Sequence, residues 1–148
     1  MWGDAMIQIQ LKHVGMSFHN RPVFQDINLD IAKGEVMVII GPSGSGKSTI
    51  LRLIIGLLKP TAGEIWINGE EISAYNEEKM NVIRQHMGMV FQYSALFDSM
   101  SVGENVAFGL RQHTDYTEEE IVRIVRRKLR MVGLAGQENA MPNELSGG

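Results

Sequence analysis

Residues Gly41 to Ser48 read "GPSGSGKS" and satisfy the pattern G-x-x-x-x-G-K-[ST]. Gly41, Gly44 and Gly46 let the backbone turn so that successive N–H groups converge, an arrangement that receives phosphate oxygens. A helix starting where the loop ends adds the partial positive charge of its dipole at the same place. Lys47 supplies a full charge for β- and γ-phosphates. Ser48 supplies a hydroxyl for Mg²⁺, which takes oxygen ligands and retains waters. Pro42, Ser43 and Ser45 complete the loop, and Thr49 is placed to brace a neighbouring phosphate. The plain alternative is a Gly/Ser turn with an exposed lysine. It does not account for the buried-strand pattern before the loop or the helical one after it. The chemistry indicated is nucleotide-phosphate binding.

The elements that would position this loop can be read on both sides of it. "EVMVII" is a continuous, β-branched run typical of a strand buried on both faces. "KSTILRLIIGLL" reads as a helix that is apolar nearly all round, ended by Pro60 and Gly63. Strand, Gly-rich loop and buried helix in that order mark an α/β parallel-sheet unit. Upstream, "MIQIQLKHV" and "VFQDINLDI" alternate apolar and polar residues, which predicts two half-buried antiparallel strands joined through "HNRP". Downstream, "GEIWINGEEI" predicts two short strands about Asn68-Gly69, a strong hairpin signal. A polar helix follows near Asn76–Arg84, and "MGMVFQ" predicts another buried strand ending at Gln92. A short helix covers "VGENVAFGL", and "TEEEIVRIVRRKLRMVGL" predicts a longer one. There Thr117 and Glu120 form a capping box, acids fill the first turn and bases the last. Ile121, Val125, Leu129 and Val132 share one face of it.

The bulk of the sequence narrows the field. Its 148 residues amount to one domain by length, or part of a larger one. With 14 basic and 17 acidic side chains the net charge is −3, which removes any general electrostatic case for nucleic acid. The absence of cysteine excludes disulfides, thiolate metal sites and a cysteine nucleophile. No apolar run approaches the ~20 residues of a membrane span, and the start lacks the marks of a signal peptide, so a cytoplasmic location is expected. His13, His19, His86 and His113 are scattered without metal-ligand spacing. Of the ten methionines, Met37, Met87 and Met89 fall in predicted buried strands and read as core filling.

Taken in order, these motifs resemble a family, the nucleotide-binding subunits of ABC transporters, from about Ile7 to Gly148. "GPSGSGKST" looks like the family's Walker A loop, "MVFQ" like its Q-loop, and the terminal "LSGG" like its signature motif. The resemblance implies a P-loop NTPase fold that is incomplete in this chain. Residues 1–35 and 62–75 would form an antiparallel β-subdomain, 36–61 and 86–92 the start of a RecA-like parallel-sheet core, and 93–148 the Q-loop and helical subdomain. It implies ATP and Mg²⁺ as cofactors, with Lys47 and Gln92 in catalytic roles and Ser48 and Gln92 near the metal. It also places Phe18 where the family stacks an aromatic on adenine; on its own, Phe18 would read equally as a core or hairpin aromatic. The stretch "SALFDSMSVGENVAF" is similar to ATPases of the Mla or organic-solvent-resistance lipid importers.

The same resemblance implies partners. A second ATPase subunit would face this one head to tail, with Ser146, Gly147 and Gly148 binding the γ-phosphate in trans through a hydroxyl and close backbone N–H groups. An integral membrane permease would meet the segment from Gln92 to about Leu110, where Tyr93, Leu96, Phe97 and Met100 suit a contact or, equally, burial among helices. The chain would then be peripheral on the cytoplasmic face of the membrane. No residue here corresponds to the family's Walker B acids or switch histidine, so the chain alone is expected to bind nucleotide weakly without turnover. Lacking partner strands, "EVMVII" and the following helix are expected to keep exposed apolar faces, and the ending at Gly148 reads as an end inside a domain. The other class of function is a non-transport ATPase of the same type or a non-catalytic nucleotide-binding module. The basic cluster Arg123, Arg126, Arg127, Lys128 and Arg130 reads as the C-terminal half of a capped helix, with Glu119 and Arg123 at i,i+4 spacing.

Overall fold

The computed structural model describes residues 6–91 and 95–145, and the chain divides into two compact units, Met1–Met89 and Val90–Gly148. In the first unit, β1 (Ile7–Phe18) and β2 (Arg21–Ala32) form a long antiparallel hairpin. Its turn is the two-residue His19-Asn20, both at positive φ (49° and 62°), as the right-handed twist of the flanking strands favours. β1 also pairs antiparallel with β3 (Ala62–Ile67), and β3 turns through Asn68-Gly69 into β4 (Glu70–Glu71), giving the sheet order β2-β1-β3-β4. Asn68 and Gly69 are again both left-handed, at 51° and 81°, so both predicted hairpins form.

The sheet buries one face. Leu11, Val14, Met16, Ile65 and Ile67 pack with Ile50, Leu53 and Ile54 of α1 (Lys47–Ile54) and with Met80 of α2 (Glu77–Arg84). β1 changes register beside His13, which lies at φ 51° opposite Asp26 at φ 55°. The His13 Nδ1–Asp26 Oδ1 contact of 2.6 Å ties the two irregularities together. α2 begins at Asn76, whose side chain accepts from Lys79 N, close to where the sequence predicts a polar helix.

Helix α1 is shorter than the sequence predicts. It ends at Ile54 because Gly56 adopts φ 67° and closes a Schellman turn: Leu57 N donates to Arg52 O (2.8 Å) and Gly56 N to Leu53 O (3.0 Å). Pro60 and Gly63 are therefore not its terminators; Gly63 lies in β3 against the backbone of Lys12 and His13.

The larger departure concerns the two predicted buried strands. Residues 35–40 and 87–91 form no regular element and belong to no sheet among the described residues. Val36, Val38 and Ile40 are 88%, 69% and 89% exposed, Val90 is 96% exposed, and Met37 is also open to solvent. A parallel strand exists only through neighbours that take its N–H and C=O groups and cover its faces. The apolar run records the environment such a strand needs and cannot supply that environment itself.

In the second unit, α3 (Val102–His113) and α4 (Glu118–Met131) pack around Val102, Ala107, Ile121, Val125 and Leu129. Each helix starts with a full capping box, Ser101 with Glu104 and Thr117 with Glu120. Val132 is 69% exposed rather than on the inner face, because α4 stops at Met131 and the chain turns away through Gly133 at φ 78°. Among the described residues no helix is long and apolar enough to cross a membrane.

Candidate functional site

The Gly-rich loop connects residues 35–40 to α1. Gly44 and Gly46 both adopt left-handed backbone, at φ 80° and 92°, and Gly46 is the N-cap residue of α1. Gly46 is required twice over. A side chain there would be strained by the φ value, and its Cβ would lie 2.8 Å from both Val23 Cγ1 and Phe24 Cδ1 of β2. The hairpin thus braces the loop through Val23 and Phe24. No side chain caps the N-terminus of α1, in contrast to α2, α3 and α4, each of which has a side-chain cap. A helix start presented in this way suits an anion.

Lys47 is the first residue of α1 and is half-buried. Its ammonium donates to Gly41 O (2.8 Å) and Pro42 O (2.7 Å), so the side chain folds back over the loop that it follows. Ser45 N donates to Pro42 O (3.3 Å), tightening the same turn. Ser48 is exposed and Thr49 half-buried on the first turn of α1. Gly41 and Pro42 therefore hold the ammonium end of Lys47, Ser43 and Ser45 continue the same loop, and Ser48 is adjacent in the chain. The donors gathered here are backbone N–H groups, one ammonium and hydroxyls, a set that fits a phosphate chain and, at Ser48, a hard divalent cation.

Phe18 ends β1 opposite Arg21 and is 41% exposed, so its ring is not part of the core. It lies at the turn end of the hairpin whose next residues, Val23 and Phe24, contact Gly46. Gln92, Tyr93, Ser146, Gly147 and Gly148 lie outside the described residues. Of the other predicted contact residues, Leu96 and Phe97 are each 47% exposed, while Met100 is half-buried. The Phe97 ring packs on Phe108 of α3, with centroids 4.9 Å apart.

Carboxyl groups are perturbed in both units: His13 lowers the pKa of Asp26 and Arg84 that of Glu77 in the first. Hydrogen bonds from Ser101 and Thr117 hold the Glu104 and Glu120 carboxyls below their usual range, and Arg111 does the same to Glu118. A cavity of about 260 Å³ in the second unit is lined by residues that include Ser101, Glu104, Arg111, Val125 and Glu138. Sequence reading alone missed the bracing by Val23 and Phe24, since nothing local marks which hairpin residues meet the loop.

Comparison with known proteins agrees with this geometry. The family model described as "ABC transporter" matches residues 24–148. The probable ribonucleotide transport ATP-binding protein mkl of Mycobacterium leprae is 45% identical over 96% of this chain and 41% of its own length. The intermembrane phospholipid transport system ATP-binding protein MlaF of Haemophilus influenzae is 43% identical over 95% of this chain and 53% of its own. The chain thus spans about half or less of these curated relatives. A solved dimeric ATP-binding cassette, MJ0796 in a post-hydrolysis state bound to ADP and Pi, superposes with a TM-score of 0.83 at 33% identity, covering 93% of this chain and 63% of that one. The left-handed glycines, the uncapped helix start and the lysine folded over the loop are features of a chain that belongs to the ABC transporter family.

Proposed function

We propose that this chain is the nucleotide-gripping part of an ATP-hydrolysing subunit that powers a membrane transporter of the phospholipid or organic-solvent-resistance type. The observation that carries the reading is the loop 41–49, where Gly44 and Gly46 turn the backbone toward an uncapped helix start beside the Lys47 ammonium. Backbone N–H groups at the start of α1 and Lys47 would hold β- and γ-phosphates. Ser48, with Gln92, would hold Mg²⁺, and the exposed Phe18 ring would stack on the base. A bound triphosphate supplies the anhydride bond to be cleaved. The residues of this chain bind and orient it and give fixed positive charge where negative charge collects.

The cargo class rests on the similarity of the "SALFDSMSVGENVAF" stretch and on the MlaF relatives. The division into a β-subdomain (1–35 and 62–75), a core portion (36–61 and 86–92) and a helical part (93–148) belongs to the same proposal. So do a second subunit, contributing Ser146, Gly147 and Gly148 in trans, and a permease partner that would keep the protein at the cytoplasmic membrane face. The dimeric cassettes among its structural neighbours support the pairing.

The test is competition against a fluorescent ATP analogue bound to the 148-residue chain in Mg²⁺. ATP and ADP are expected to displace the analogue, AMP and adenosine to do so at least about tenfold less well, because the loop grips the outer phosphates. Phosphate release is expected to stay at background. Equal displacement by AMP would contradict the reading of the loop, and Mg²⁺-dependent turnover would contradict the assignment of the chain as a binding part without the hydrolytic acids.

A further inference from the structure

Arg84 is the last residue of α2, and its guanidinium reaches across to the far end of α1. Nε donates to Ile55 O (3.0 Å) and Nη2 to Gly56 O (2.9 Å). Nη1 donates to Glu77 Oε2 (2.8 Å) and Asn81 Oδ1 (3.0 Å), and Nη2 makes a longer contact of 3.5 Å with Glu77 Oε1. All three guanidinium nitrogens are engaged, and the side chain is only 24% exposed. A planar fork of five donors can serve two carbonyls and a carboxylate at once, which a lysine ammonium cannot match in geometry.

Both carbonyls belong to the Schellman turn that ends α1, and neither accepts from its backbone N–H groups. Within α1 and its turn, Leu51 O, Arg52 O and Leu53 O accept from Ile55 N, Leu57 N and Gly56 N. Beyond Ile54, the carbonyls of Ile55 and Gly56 both accept from Arg84. The negative end of the α1 dipole therefore carries a fixed cation, while its positive end is the start of the helix at Lys47. Eight residues make α1 about 12 Å long, so a tilt at one end is passed directly to the other. Met80 of the same α2 lies against Gly56, which seats the turn as Arg84 clamps it.

We propose that Arg84 is a positioning residue for the phosphate loop: by clamping Ile55 O and Gly56 O against Glu77, it fixes the direction in which α1 presents its first N–H groups and Lys47. This rests on the phosphate-binding reading of the loop. Arg84 touches no nucleotide atom and acts through α1.

Calorimetric titration of the 148-residue chain with MgATP tests it, each variant being measured at a temperature where its circular dichroism shows it fully folded. Arg84→Ala is expected to weaken MgATP binding on the order of tenfold, Arg84→Lys to recover only part of that loss, and Glu77→Gln to weaken binding about twofold. Ile67→Val trims the same core without touching the carbonyls at the end of α1. It is expected to lower the Tm and leave the affinity within about twofold. An Arg84→Ala variant that behaves like Ile67→Val, with lower Tm and unchanged affinity, overturns the inference. So does full affinity in Arg84→Lys. If Arg84→Ala does not fold, unchanged affinity in both Arg84→Lys and Glu77→Gln overturns it. Failure of the wild-type chain itself to bind MgATP overturns the phosphate-binding reading and this inference with it, a result separate from any effect of the variants.

Discussion

Residues 35–40 and 41–49 are consecutive, yet the first stretch joins no sheet among the described residues and is open except at Ile39, while the other holds a defined loop and helix start. Val36 and Ile40 are almost fully exposed. A few residues later Gly46 is seated against Val23 and Phe24, and Lys47 is bonded to Gly41 O and Pro42 O. The difference lies in where each stretch finds its partners. The loop is set by glycine dihedrals, by contacts within nine residues and by one neighbouring hairpin. The predicted strand is set by strands that must come from elsewhere. The loop's conformation and the pairing of the preceding stretch are separable in this chain, and the first is present where the second is not.

Single changes can test how far that separation goes. Leu53→Ala should have the largest effect. Leu53 is 1% exposed and anchors α1 in the core, so the truncation is expected to cost about 2–5 kcal/mol in a urea titration. Next comes Thr117→Ala, which removes the N-cap of α4 and is expected to cost about 1 kcal/mol by the same measurement. The smallest effect is expected from Val36→Thr, within about 0.5 kcal/mol of wild type, since Val36 is 88% exposed. A cost of several kcal/mol at Val36 would mean that 35–40 is buried in solution, and the contrast with the loop would fall.

The local devices should also show in pH dependence. The carboxyls of Glu104 and Glu120, held by backbone hydrogen bonds of their capping boxes, and that of Glu118, held by Arg111, have folded pKa values below their unfolded ones. Their contribution is therefore complete above the usual glutamate value of about 4.3 and is lost as pH falls through the folded values. Helicity followed by circular dichroism on acid titration should decline only below that value. Thr117→Ala should weaken the acid sensitivity that comes from Glu120.

What could be read from the sequence divides along the same line. The His19-Asn20 and Asn68-Gly69 hairpins, the Thr117–Glu120 box and the Gly41–Ser48 loop were legible because each depends on residues a few positions apart. The end of α1 is hidden in the sequence because Ile55, Leu57 and Leu58 continue the apolar pattern, and only the left-handed Gly56 breaks it. Residues 35–40 and 87–92 predict strands from apolar character alone, which reports burial in a sheet without providing the sheet. Arg84 gave no signal, because a lone arginine near the end of a polar helix does not show that it serves the carbonyls of another. Phe18 was placed by resemblance, and its exposed ring at the loop end of the hairpin leaves it available for stacking.

The central claim is that the loop 41–49 grips nucleotide phosphates in this chain as it stands. Calorimetric titration of MgATP into wild type, Lys47→Ala and Gly46→Ala tests it most directly. Gly46→Ala places a side chain at φ 92° and pushes a methyl toward Val23 and Phe24, while Lys47→Ala removes the ammonium alone. The account predicts saturable one-to-one binding by wild type and a loss of at least about tenfold in both variants. Equal affinity in all three, or no binding by the wild-type chain, would contradict it.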